Sequence, residues 1–217
     1  MNYKTKFALL PLFIVFVALA CKEKQKTPTV DNTAQQLKDS LSIDSSLAAL
    51  NAINNNNIDK SPMDMIYFPV DYPKIKMANG TTTPPIARVI YSRPHLAKRH
   101  LFHDLLKYEE PWRLGANEST EIDFYKAATI QGKKVPPGRY ILYCIPHPET
   151  WTIVLNSNID SWGLEQDPKK DVQHFEIPIT TNNSTQEYFT MQFKKMETGA
   201  NLEMFWDNVS AELPIQF

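Results

Sequence analysis

From residue 61 onward the chain breaks repeatedly into short segments in which apolar and polar residues alternate, and this pattern dictates strands. Alternation with period two sends successive side chains to opposite faces, so one face is buried and the other solvated. Strands are expected over residues 75–77, 86–92, 120–125, 139–145, 150–156, 172–179, 188–195, 201–207 and 209–217. A small hairpin is expected over 128–135 around Gln131-Gly132-Lys133. The intervals carry strand breakers: Asn79-Gly80, Pro94, Pro136-Pro137-Gly138, Asn182-Asn183 and Thr198-Gly199;. Residues 95–107 form a charged excursion with room for a helical turn or two around Leu101, Phe102, Leu105 and Leu106. About ten short strands separated by turn residues predict an all-β, antiparallel β-sandwich. The 16 prolines suit strand ends and edges;. No helix–strand alternation points to a parallel dinucleotide-binding sheet.

The N-terminus reads as a targeting segment. Lys4 and Lys6 precede an uncharged apolar run that ends in Ala18-Leu19-Ala20-Cys21;. This ending resembles the bacterial lipobox, so residues 1–20 are expected to be a lipoprotein signal peptide and Cys21 the lipidated residue that attaches the protein to a membrane. Lys22 and Glu23 follow, with no Asp directly after the cysteine. The expectation is therefore an outer-membrane lipoprotein, facing the periplasm or the exterior. Residues 21–60 are polar and end in Asn54-Asn55-Asn56-Asn57. Such a stretch lacks the apolar surface to order itself and reads as a tether, with a short helix within residues 34–52 as its one candidate element. The folded domain is expected over 61–217. The only other cysteine, Cys144, lies in an apolar run and reads as a buried, inert thiol;.

Basic and acidic residues number 23 and 24. That balance removes the electrostatic footprint of a nucleic-acid binder. The densest concentration of demanding residues is Pro111-Trp112-Arg113-Leu114-Gly115-Ala116-Asn117-Glu118, which runs into the strand pattern at Thr120. Trp112 buries a large area and keeps one N–H to satisfy. Arg113 offers a planar fork of donors. Gly115 permits close backbone approach, and Asn117 sets turns. Two readings stay open. Arg113 and Asn117 tie down the loop's own carbonyls, or the loop frames a polar pocket on a rigid scaffold. The pocket reading takes Arg93, Arg113, Asn117, Glu118 and Trp162 as ligand-binding residues, Trp162 being a loop-borne platform beside Gly163.

Other constellations are weaker. His95, His100, His103 and Asp104 contain metal-ligand types, but one short turn rarely fixes a metal geometry, so no metal site is assigned. Glu118, Glu121 and Asp123 supply carboxylates for glycoside hydrolysis;. No serine nucleophile elbow, phosphate loop or dinucleotide fingerprint is present, and no cofactor or catalytic residue is implied.

Four motifs together carry a family likeness. They are Tyr91-Ser92-Arg93-Pro94, the Trp112–Thr120 segment, Gly132-Lys133-Lys134-Val135-Pro136-Pro137-Gly138-Arg139-Tyr140, and Trp151-Thr152-Ile153-Val154-Leu155-Asn156 with Trp162-Gly163. In order and spacing this resembles the domain-of-unknown-function family numbered 2911, DUF2911, common among envelope proteins of the Bacteroidetes. The resemblance covers roughly 61–217. It implies a β-rich extracytoplasmic domain and carries over no reaction. The chain departs from the family pattern at Ala97 and His103, where glycines are usual, and at Lys107-Tyr108-Glu109, where Pro-Tyr-Gly is usual.

The resulting expectation is a lipid-anchored envelope protein that binds a glycan or an acidic small molecule. The alternatives are a glycan-directed hydrolase working through Glu118 or Asp123, and a structural partner in an outer-membrane assembly. Cys21→Ala is expected to move the protein from salt-washed membranes to a soluble or unprocessed form. Fractionation and labelling with a lipid probe check this; a lipid-labelled, membrane-bound mutant contradicts it.

Overall fold

The computed structural model describes residues 61–217. The expected signal peptide, Cys21, the expected tether and its candidate helix lie outside the described residues. Among the described residues nine strands appear: β1 (Met63–Phe68), β2 (Ala87–Ser92), β3 (Thr120–Phe124), β4 (Ala128–Ile130), β5 (Lys133–Val135), β6 (Gly138–Pro146), β7 (Thr150–Asn156), β8 (Asp171–Met196) and β9 (Gly199–Gln216). All pairings are antiparallel and the order is β1-β2-β3-β6-β7-β8-β9-β4-β5. The domain is all-β, and its hydrogen-bonded ladders run continuously from β1 to β5. No helix among the described residues is long and apolar enough to cross a membrane.

Strand β8 makes that continuity. Its first part, up to Pro178, pairs with β7, and from Ile179 it pairs with β9. The Asn182-Asn183 turn expected from sequence is absent. Phe175, Ile177, Phe189, Met191 and Phe193 are all buried and all odd-numbered, so the strand keeps one inward phase across the polar middle;. The register against β9 shifts between Thr181 and Gln186 and again between Gln186 and Thr190. The surplus residues lie in β8, and β9 changes its inward phase at the same place. Its inward residues are Ala200, Leu202, Met204 and Trp206 before Asp207, and Val209, Ala211, Leu213 and Ile215 after it. Asp207 has φ 54°, and one irregular residue moves the buried set from even to odd positions;. The two strands expected over 201–207 and 209–217 are thus one.

Two further expectations change. Residues 75–77 belong to helix α1 (Tyr72–Asn79), not to a strand. Pro73 sits in its first turn and Gly80, at φ 59°, caps it by donating its N–H to Lys76 O at 3.0 Å;. Lys74-Ile75-Lys76-Met77 alternates, but three or four residues cannot distinguish period two from a helix edge. Strand β1, which sequence patterning missed, pairs with β2 from Met63↔Ser92 to Phe68↔Ala87. The 95–107 excursion contains one π-helical turn, Leu101–Leu105, closed by Leu106 N–H to Leu101 O at 2.8 Å. Ala97 and Glu109 hold φ of 49° and 65°. The glycine-like backbone is kept at the steric expense of a Cβ.

The core has two aromatic foci. Trp112 stacks on Trp206 at 5.4 Å and meets Phe189 and Trp151 edge-on at 4.9 and 5.9 Å. Phe68 packs against Phe193 and Phe217, and Phe217 against Phe124. The second part of β8 is thereby brought to β1 and β2. Tyr91 OH accepts from Met191 N–H at 2.8 Å and reaches Asp64 Oδ2 at 3.1 Å, and burial pushes its pKa up. Cys144 is fully buried and burial likewise pushes its thiol up, which makes it the inert thiol expected.

Gly199 opens β9 at φ 141°, and a Cβ there would meet Ile215 O at 2.0 Å. Gly199→Ala is expected to destabilise the domain by about 3 kcal/mol or more, from backbone strain plus a clash with backbone. Denaturant unfolding measures it; a loss below about 1 kcal/mol contradicts this packing.

Candidate functional site

The segment 111–119 is built around its tryptophan. Trp112 forms a one-residue bridge with Cys144, donating N–H to Cys144 O at 2.7 Å and accepting from Cys144 N–H at 2.8 Å. Its indole Nε1 donates to Gly115 O at 3.2 Å. The chain enters this bridge under control from Glu109, whose N–H donates to Pro146 O and whose carboxylate lies 2.6 Å from His147 Nδ1. Leu114 and Asn117 adopt positive φ, 51° and 64°, so the backbone turns sharply between core and surface. Thr120 Oγ1 closes the turn by donating to Leu114 O at 2.7 Å. A Cβ at Gly115 would stand 3.1 Å from Thr120 Oγ1 and 3.2 Å from Ser92 O, which explains a glycine there.

Trp112 faces the core and Arg113 emerges partly exposed. Arg113 Nη1 donates to Asn117 O at 2.6 Å and lies 3.5 Å from Trp162 O. The guanidinium therefore joins the 113–117 turn to the 158–164 loop. Ser119 makes the second join, donating Oγ–H to Ser161 O at 2.8 Å. Gly163, at φ 80°, packs against Ser119 so closely that a Cβ would stand 2.3 Å from its Oγ.

These joins leave a cleft of about 300 Å³ lined by Glu118, Ser119, Glu121, Asp160, Ser161 and Trp162. Trp162 is 59% exposed at its rim. Three of the six lining residues are carboxylates. Below the cleft runs a ladder of facing cross-strand charges, Arg88↔Asp123 on β2–β3 and Asp123↔Arg139 on β3–β6. Arg88 Nε donates to Asp123 Oδ2 at 2.8 Å and Arg139 Nε to Asp123 Oδ1 at 2.9 Å. Arg139 also reaches Glu121 at 3.4 Å. The hydrogen bond to Asp123, then the charges of Asp123, Glu121 and Asp160, raise the Arg139 pKa above its usual value.

Of the residues singled out by sequence, Glu118 and Trp162 line the cleft, and Arg113 and Asn117 form the frame beside it. Arg93 belongs elsewhere. Its Nε donates to Phe189 O at 3.2 Å and its Nη2 to Thr190 Oγ1 at 2.9 Å, and its guanidinium lies over the Tyr188 ring, so it fastens the end of β2 to β8. Ser119, Asp160 and Ser161 were not singled out. The loop holding Asp160 and Ser161 was legible as a loop, but nothing in the sequence placed it against Ser119. The histidines disperse: His95 stacks on Tyr188, while Asp104 takes up both the His100 N–H and the His103 ring. Among the described residues no group of three or more His, Cys, Asp or Glu side chains is placed to hold a metal ion.

The fold and cleft define a class: an antiparallel β domain carrying a polar, loop-framed cleft. The model of the family described as protein of unknown function (DUF2911) matches residues 74–215, and the chain belongs to that family. No curated protein and no solved structure matches it.

Replacing Arg113 removes the guanidinium from two loop carbonyls. Arg113→Ala is expected to cost about 1–2 kcal/mol, a melting decrease of roughly 2–8 °C. Arg113→Lys should recover only part, because a point charge cannot reproduce the fork. Thermal melting of both variants checks this; an unchanged midpoint for Arg113→Ala contradicts it.

Proposed function

We propose that this protein is a lipid-anchored cell-envelope protein whose cleft binds uncharged sugar units of a glycan. The observation that carries the reading is the exposed Trp162 ring at the rim of a cleft whose other lining residues are acidic or hydroxylic. A flat indole offers a face for the C–H groups of a sugar ring. Carboxylates and serine hydroxyls offer acceptors, and serines also donors, to its hydroxyl groups. Glu118, Glu121 and Asp160 repel acidic ligands, which favours an uncharged glycan over an acidic small molecule. Arg113 supports the site by holding the Trp162 backbone, not by meeting an anion. Anchoring rests on the lipobox-like ending at Cys21 and the polar stretch after it.

A hydrolase is the second reading, favoured by the presence of Glu118 and Glu121 in one cleft;. Asp123 is a poor partner for such chemistry, since both its oxygens accept hydrogen bonds from arginines.

A glycan array followed by titration calorimetry tests the binding reading. Trp162→Ala is expected to weaken binding about tenfold or more while leaving the melting point within about 2 °C, because the ring is largely solvated. Equal binding by the variant, or no glycan bound by the wild type, overturns the proposal. Product release from the same glycans, lost in Glu118→Gln, would instead establish the hydrolase.

A further inference from the structure

A second cavity, sharing no residue with the Trp162 cleft, lies beside α1. It measures about 530 Å³ and is walled by Phe68, Pro69, Val70 and Ile86, with Lys74 from α1 and Lys195 from β8 among its lining residues. This volume is in the range that holds small organic ligands. We propose that it binds a single-chain amphiphilic anion, an apolar tail ending in a carboxylate.

Three observations fit that ligand. Val70 is 59% exposed, so the groove presents apolar surface to water that a tail would cover;. Lys74 and Lys195 come from two separate elements, and neither has an ion pair or side-chain hydrogen bond among the described residues. Asp71 also lines the groove and makes no side-chain cap to the helix, leaving two cations to one anion. Finally, α1 is eight residues long and buries none of them. So short a helix is marginal in water by itself and gains from a ligand packed against it. A neutral oil would leave both lysines unanswered. A highly charged polyanion would leave Phe68, Val70 and Ile86 unused. A carboxylate on a hydrocarbon chain satisfies both, and this holds whether or not the Trp162 cleft binds glycans.

The test is calorimetric titration of the full chain carrying Cys21→Ala with decanoate and with decanol, both below their aggregation concentrations. Decanoate is expected to bind once per chain and about tenfold more tightly than decanol at low salt, the difference being two exposed, solvent-screened ion pairs. Lys74→Gln and Lys195→Gln should each weaken decanoate about two- to fivefold and leave decanol unchanged. Val70→Trp should fill the groove and abolish both. Melting curves establish that each variant is folded, and if Val70→Trp is not, the two lysine variants decide alone. No saturable decanoate binding, equal affinity for decanol, or indifference to both lysine substitutions overturns the proposal.

Discussion

Strand β8 leaves β7 at Pro178 and continues along β9 from Ile179 without reversing direction. This single passage makes one ladder of what would otherwise be two sets of strands. It also brings Phe189, Met191 and Phe193 to the aromatic residues of β1, β2 and the 111–119 segment. The passage works because the buried phase stays odd from Phe175 to Phe193. A slip of one residue would turn every apolar side chain to solvent. The unpaired surplus residues lie in β8 between Thr181 and Thr190, and the change of inward phase falls on β9 at Asp207, which takes positive φ.

The candidate cleft inherits its rigidity from that core. Trp112 is locked among Trp151, Phe189 and Trp206, so Arg113 is presented at a fixed point on the surface. From there the guanidinium and Ser119 secure the loop bearing Trp162. Exposed binding loops held by buried anchors are a common division of labour. In the charged ladder Arg88, Asp123, Arg139 and Glu121, guanidinium groups alternate with carboxylates across β2, β3 and β6 and offset the repulsion between Asp123 and Glu121.

Several backbone positions carry strain where glycine would carry none. Ala97, Lys98, Glu109, Leu114 and Asn117 all have positive φ. All lie within the stretch between β2 and β3, and two are held by tertiary hydrogen bonds, Ala97 N–H to Glu187 Oε1 and Glu109 N–H to Pro146 O. Local propensity is overruled there because the surrounding sheet fixes both ends of the stretch.

The all-β class, most strands, the β4–β5 hairpin, the buried Cys144 and membership of the family were legible in the chain itself. They depend on period-two alternation, turn residues and local motifs, which are properties of neighbours in sequence. Once Trp112 faces the core, the outward emergence of Arg113 follows, since adjacent side chains on extended backbone diverge. What tertiary structure decided involves partners far apart. Nothing near Arg93 announces Phe189, nothing near Ser119 announces Ser161, and nothing in β2 announces that Arg88 will face Asp123. The Asn182-Asn183 pair has strong turn character, yet it runs on inside β8, within the register shift that follows Thr181. Lys74-Ile75-Lys76-Met77 alternates like a strand, yet Pro73 and Gly80 fix it as a helix. In each case a long-range ladder or a capping geometry, worth more than the local preference, selected the outcome.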